Sequence, residues 1–313
     1  MRTVIVSSAG AVFFLPYLEA DLNIVGILDM RKTSDSKDAK ERFLIRIYNR
    51  LKLIQICRLR LSHLTRKKSC RYIRIKNRSL EEMEDRLIEL KPDVVLAYRI
   101  PILNKKTLAI PRLGFINLHP SLLPKYRGGH PILWMAKDYD LQGGVTIHYM
   151  EEKEDRGPIL EQGEFLIKPG ASEEEVERQA IFQHGIPLSI KALKKLQSGS
   201  SIKIMQSESS PTPYAYRKKP EELWQMIDWQ SWSLEHTWHM LRCHSFWKYK
   251  LPKMSGWRKW VDWQIGMGVT GMHDTSWGSV VADTQGYRIY HREGWIEVRP
   301  SVRFKRIVRK LLS

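Results

Sequence analysis

Apolar and polar positions follow two rhythms along this chain, and the first half switches between them repeatedly. Thr3 to Ser7, inside MRTVIVSS, is a short apolar run that predicts a buried strand. GAVFFLPYLEA after it has the wider apolar face of a helix, and NIVGILDM reads as a second strand. Leu80 to Leu90 predicts a helix opened by Ser79, with Glu81 and Glu82 in the first turn, where the helix dipole favours acids. PDVVLAY, LGFINLH and GVTIHYM are three more strands. Strands separated by helices predict an α/β domain, doubly wound around a mostly parallel sheet. Ligands of such sheets bind beyond the carboxyl ends of the strands. Residues 97–103, 117–130 and 150–158 each follow a strand, so all three segments are expected along that edge.

The second half changes character. A long helix is expected from about Ser172 to Leu196, opened by SEEE. The punctuation SGSS (198–201) and SESSPTP (207–213) reads as a linker or long excursion. Beyond it lie ten of the eleven tryptophans and the alternating segments GSVVAD, YRIYH and WIEVRP, which predict short antiparallel strands. The expected division is a larger α/β domain over 1–204 and a smaller, β-rich, Trp-rich domain over 205–313.

Composition adds one asymmetry. The net charge is +18, and between Arg31 and Arg78 17 Lys and Arg stand against only Asp35, Asp38 and Glu41. That block lies between the second and third strands read above and looks like a basic insertion. Phe43, Ile47, Leu51 and Ile54 repeat there at helical spacing, beside Arg42, Arg46 and Arg50. Its two readings are a packed helix and a surface for phosphates or membrane headgroups. The tail VRFKRIVRKLLS poses the same choice, with docking as a last helix preferred. Cys57, Cys70 and Cys243 form no CxxC, which argues against a disulfide framework and for a reducing, cytoplasmic setting. The N-terminus reads as strand, turn and helix rather than a signal peptide.

The densest chemistry is INLHPSLLPKYRGGHP, residues 116–131. Residues two apart on a strand point the same way, so Asn117 and His119 present a carboxamide and an imidazole to one space. An imidazole can take a proton from an attacking amine near neutral pH, and a carboxamide N–H can hold a developing oxyanion. The orienting carboxylate is sought in EEKEDRGPIL, at Asp155. His236, His239, His244 and Cys243 lie within SLEHTWHMLRCHSFW, which reads as a packing helix rather than a metal site.

NLHPSLLPKYRG, followed by GVTIHYM and then a D-x-G, resembles the folate-dependent formyltransferases, a family that includes glycinamide ribonucleotide, methionyl-tRNA and nucleotide-sugar formyltransferases. The detailed resemblance covers about residues 92–168. It implies a Rossmann-like fold and 10-formyltetrahydrofolate as formyl donor, with no metal. It places the catalytic residues at Asn117, His119 and Asp155. Folate would be held at Tyr98, Ile100, Ile102, Met150 and Glu151, and Ser121, Tyr126, Arg127 and Gly128 would form the substrate loop. KYRGGHP is expected as the rim toward the acceptor, with Gly128 and Gly129 allowing close approach. The family's acidic-glycine loop resembles DEGIDTGDI; this chain departs from it at Lys153, Arg156 and Pro158 but keeps Asp155 and Gly157. The acceptor expected is a primary amine on a nucleotide-linked amino sugar, because LLPKYRGGHPILW is closer to the sugar enzymes. Initiator methionyl-tRNA is the alternative, favoured by the basic block. A non-catalytic binding protein on the same scaffold is a third reading. A homodimer and peripheral membrane contact through the basic segments complete the expectations for partners.

Overall fold

The computed structural model describes residues 1–9, 11–31, 52–251, 262–271 and 275–301. The basic stretch around Arg42, Phe43, Arg46, Ile47, Arg50 and Leu51, and the tail from Val302, lie outside the described residues.

Seven strands form the main sheet: β1 (Thr3–Ser7), β2 (Ile24–Asp29), β3 (Arg71–Arg74), β4 (Val94–Tyr98), β5 (Phe115–His119), β6 (Gln142–Tyr149) and β7 (Ile159–Leu166). Their order is β3-β2-β1-β4-β5-β6-β7, and all pairings from β3 to β5 are parallel. β1 and β4 are buried along their whole length, as the middle strands of a sheet covered on both faces must be. Val4, Val6, Leu28, Val95, Ala97 and Phe115 meet Met83, Leu87 and Leu90 of the Leu80–Leu90 helix on one face. That helix is capped as its sequence predicts: Ser79 Oγ accepts from the Glu82 amide at 3.1 Å. Phe13, Phe14, Tyr17 and Leu18 of the Ala11–Glu19 helix are fully buried, and the Tyr17 hydroxyl meets Ser189 Oγ at 2.7 Å.

Two expectations change. The basic block is not simply an insertion between strands: it supplies β3, the sheet's edge strand, and the Lys52–Lys67 helix, which packs on Ala11–Glu19. Four residues rich in arginine and exposed at three positions carry too little apolar pattern to read as a strand. Second, β6 runs antiparallel to β5, pairing Ile116 with Tyr149 and His119 with Thr146. The segment after β6 therefore leaves from the amino end of β5, not from the carboxyl edge it shares with 97–103 and 120–128.

The chain divides into two compact units that interleave in sequence, one of 1–128, 143–165 and 177–214, the other of 129–142, 166–176 and 215–313. The second holds an antiparallel sheet of β8 (Asp262–Thr270), β9 (Val280–Asp283), β10 (Gly286–His291) and β11 (Gly294–Ser301) in the order β8-β11-β10-β9. Buried Ile265, Ile289, Ile296 and Val298 form its inner face, and the Leu234–Cys243 helix packs on β8 and β11 with Met240 and Leu241 fully buried. The long helix is present as Glu173–Arg178, a π-helical turn at Gln179–Gly185, and Ile186–Ser198. Among the described residues no helix is long and apolar enough to cross a membrane.

Candidate functional site

β5 and β6 build the site by their register. Asn117 stands opposite His148 and His119 opposite Thr146, so four polar side chains share one face at the end of two otherwise apolar strands. Asn117 Nδ2 lies 3.2 Å from His148 Nε2, and His148 Nδ1 lies 2.8 Å from the Tyr149 carbonyl. The 150–158 loop folds back from the far end of β6 to deliver Asp155. Its Oδ2 lies 3.5 Å from His119 Nδ1 and its Oδ1 3.5 Å from His148 Nε2, and the Gly128 amide donates to Oδ2 at 2.8 Å. The loop is anchored by the Met150 amide on the Phe115 carbonyl and the Tyr149 amide on the Pro158 carbonyl, both at 2.9 Å. Asp155 itself has φ +55°, in the region that asparagine and aspartate tolerate better than most residues.

Burial and pairing set the electrostatics. Asp155 is 9% exposed, and burial disfavours its charge; His119, His148 and the Gly128 amide more than offset this and bring its pKa down to about 2. For His119, 4% exposed, burial pushes the pKa below the usual imidazole value against the pull of Asp155, with His148 adding to the lowering. Its Nε2 lies 3.0 Å from the Tyr126 carbonyl. When the neutral ring places its proton on Nδ1, toward Asp155, Nε2 is left as an acceptor facing a second acceptor. That pair is satisfied by a donor with two N–H bonds.

The loop between β5 and the Pro131–Asp138 helix is held from within. Thr146 Oγ1 donates to the Ser121 carbonyl at 2.6 Å and accepts from the Leu123 amide at 3.1 Å, while Ser121 Oγ donates to the Lys125 carbonyl at 2.7 Å. Gln162 Nε2 reaches the Leu123 carbonyl at 2.7 Å. The Leu123–Pro124 peptide is cis. Gly128 has φ +117°, which a side chain would strain, whereas a Cβ on Gly129 would meet nothing.

Arg127 is buried rather than at a rim. It donates to Gln206 Oε1 at 2.9 and 3.2 Å, to the Glu208 carbonyl at 3.0 Å and to the Ser207 carbonyl at 2.6 Å. Gln206 in turn donates to the carbonyls of Asp155 at 3.0 Å and Gly157 at 2.7 Å. The stretch read as a free excursion is thus tied to the back of the site. Lysine cannot reproduce this fork of donors. Arg127→Lys is expected to cost about 1–3 kcal/mol, seen as a lowered Tm in a thermal melt, because one ammonium cannot make all the hydrogen bonds of the guanidinium.

The residues expected to hold folate are dispersed in character. Ile102 is 61% exposed and Ile100 half-buried just past β4, and Glu151 is exposed. Met150 packs partly buried on the sheet core. The Tyr98 ring stacks on Phe13 at 5.2 Å and its hydroxyl bonds Glu177, so this residue offers its backbone to the edge while its side chain is engaged elsewhere. His148 is the site residue that sequence reasoning passed over. The signal was there: two steps from Thr146 on a strand beside Asn117 and His119, it shares their face only if β6 pairs with β5. The histidines of the Leu234–Cys243 helix stand elsewhere, His236 stacked on Trp232 at 3.8 Å and His239 accepting from the Gly170 amide at 2.8 Å.

Residues 55–189 match the Formyl transferase family model. Methionyl-tRNA formyltransferase of Thermotoga maritima is 37% identical over 138 residues, 44% of this chain and 44% of its own length. That of Roseiflexus castenholzii is 35% identical over 162 residues, 51% of this chain and 50% of its own. The chain therefore spans about half the length of these relatives. The fold is shared with the N-formyltransferase of Helicobacter canadensis solved with folinic acid and dTDP-3-aminofucose, at TM-score 0.60 and 15% identity over 96% of this chain and 100% of that one. The segment that matches the Formyl transferase model contains both the Asn117–His119 strand and the Asp155 loop.

Proposed function

We propose that this protein transfers the formyl group of 10-formyltetrahydrofolate to the primary amine of a nucleotide-linked amino sugar. The observation that carries the chemistry is the buried Asp155 carboxylate set between His119 and His148, with Asn117 beside them. Neutral His119 takes a proton from the amine as its nitrogen bonds to the formyl carbon, and Asp155 stabilises the imidazolium that results. An amine that approaches beside His119 Nε2 and the Tyr126 carbonyl oxygen has a hydrogen for each. Asn117 polarises the formyl oxygen, and His148, whose Nδ1 donates to the Tyr149 carbonyl, accepts from Asn117 Nδ2 and orients it. The carbon's bond to folate nitrogen then breaks, with the proton returned to the leaving nitrogen. Exposed Ile102 and half-buried Ile100 fit the apolar wall a folate ring system requires, with backbone of 97–103 for its polar edge.

For the acceptor, support comes from the extent of the fold shared with the Helicobacter enzyme, which was solved with a nucleotide-linked amino sugar and is matched along its whole length. The sequence relatives favour the second reading, methionyl-tRNA, together with the positive charge between Arg31 and Arg78. The two separate by experiment. Amine-dependent release of tetrahydrofolate is expected with a panel of nucleotide-linked amino sugars and not with methionyl-tRNA. Salt-sensitive tRNA binding that collapses on neutralising Arg42, Arg46 and Arg50, with formylation of the tRNA, would establish the second reading instead. Release with neither acceptor class would sink both.

A further inference from the structure

After the Ile186–Ser198 helix the chain runs as irregular backbone, and residues 204–212 cross both loops that carry the site, all within the first unit. The crossing opens at Ile204, which exchanges backbone hydrogen bonds with Ile159 at 2.8 and 2.9 Å, where the 150–158 loop enters β7. Gln206 then takes hold of that loop. Arg127 Nε and Nη2 both donate to Gln206 Oε1, which leaves the amide nitrogen to face the carbonyls of Asp155 and Gly157 at 3.0 and 2.7 Å. The Gln206 amide is therefore held in one orientation and ties the two loops together. It fixes the backbone of the residue whose carboxylate stands 3.5 Å from both His119 and His148.

The far end of the same segment reaches the other loop. Ser210 Oγ donates to the Pro124 carbonyl at 2.7 Å, and the Tyr126 amide donates to Thr212 Oγ1 at 2.6 Å. Tyr126 has φ +56°, which a residue with a side chain keeps only where its surroundings hold it. Thr212 thus holds the residue whose carbonyl stands 3.0 Å from His119 Nε2. Gln206 and Thr212 are only half-buried, so neither is there to fill a core.

We infer that Gln206 and Thr212 are positioning residues for formyl transfer, Gln206 placing Asp155 behind His119 and Thr212 placing the Tyr126 carbonyl that receives the acceptor amine; this rests on the formyl-transfer reading above. Each acts through another residue, and the two effects separate. Burial lowers the His119 pKa, Asp155 raises it, His148 lowers it and the Tyr126 carbonyl raises it. When Asp155 draws away from His119, the strongest raising influence goes with it.

The test uses the full chain carrying isotope-labelled histidine, with the His119 signals identified by their loss in His119→Ala. Gln206→Met keeps the length of the side chain and removes its donors. The His119 pKa, titrated by NMR, is expected to fall in it by about half a unit or more, and kcat by about 10- to 100-fold. Thr212→Val keeps the shape and removes the oxygen. It is expected to move the Nε2 resonance of His119, which faces the Tyr126 carbonyl, and to raise KM for the acceptor amine several-fold. Thr212→Ser restores the hydroxyl and is expected to recover both. Ser209→Ala, exposed in the same segment, is expected to change none of these. Melting curves establish that each variant folds, and Gln206→Asn, one carbon too short for the same carbonyls, takes the place of Gln206→Met if that one does not. A His119 pKa unmoved in the folded Gln206 variant overturns the role of Gln206. An Nε2 resonance unmoved in Thr212→Val, or moved as far in Thr212→Ser, overturns that of Thr212. If the wild type formylates no amine, the functional reading fails by itself, because the pKa and the Nε2 resonance are read without substrate.

Discussion

His119→Ala is expected to lower kcat by about 10²- to 10⁴-fold, the usual worth of a positioned general base. KM for the formyl donor should change little, because the proposed donor site lies at the carboxyl edge of β4 and not at the imidazole. Asp155→Asn is expected to fall in the same range by a different route: the carboxamide keeps a partner for the Gly128 amide but no longer stabilises an imidazolium. Because the two residues act as one unit, the double variant should be hardly worse than either alone. Release of tetrahydrofolate under single turnover measures all three. The pH profile carries the sign. In the proposed reaction His119 acts when neutral, so the rate is expected to fall on the acid side as pH drops through its pKa, which burial places below the ordinary imidazole value. Asp155 raises that pKa, so in Asp155→Asn the weak residual rate should hold to still lower pH. Asp155 also stabilises the fold: its pKa is lowered to about 2, so its contribution is full above the unfolded value and is lost as pH falls toward 2. A wild-type rate in His119→Ala would remove the imidazole from the reaction altogether.

What could be read from sequence follows how local the determinant is. Asn117 and His119 were legible because a strand's two-residue period places them together with no help from elsewhere. Asp155 was legible only through the family's D-x-G pattern, since nothing in EEKEDRGP says that the loop folds back. His148 was missed for a related reason: its role depends on β6 pairing with β5 in antiparallel register, a long-range fact that alternation along one strand does not encode. Arg127 misled because a charged residue among turn formers reads as surface, while its three acceptors lie some 80 residues away at 206–208. The edge strand β3 was hidden by its charge. The main sheet, by contrast, announced itself, because buried parallel strands are continuous apolar runs.

Gly157→Ala tests the most divergent part of the site. A Cβ there would lie 2.0 Å from the Tyr149 carbonyl oxygen and 2.8 Å from its carbon, and backbone cannot yield as a flexible side chain does. The loop must move by an ångström or more, and overpacking of this kind costs about 1–3 kcal/mol, occasionally more. Asp155, two residues away, would lose its reach to His119 and His148. The expected result is a Tm lowered by several degrees together with a fall in kcat near that of Asp155→Asn, although no reacting group has been removed. This also explains the pattern of departures from DEGIDTGDI. Lys153 and Arg156 are exposed, and the Arg156 guanidinium has found the Glu208 carbonyl at 2.8 Å. Pro158 is used through its carbonyl, which accepts from the Tyr149 amide, a bond that proline can make as well as any residue. At Lys153, Arg156 and Pro158 the loop differs where side chains face solvent or only a carbonyl is needed, and it keeps glycine at 157, where a Cβ has no room. Lys153→Gly is accordingly expected to leave both kcat and Tm close to wild type. If Gly157→Ala matched it, the close approach of Gly157 to Tyr149 would not be what positions Asp155.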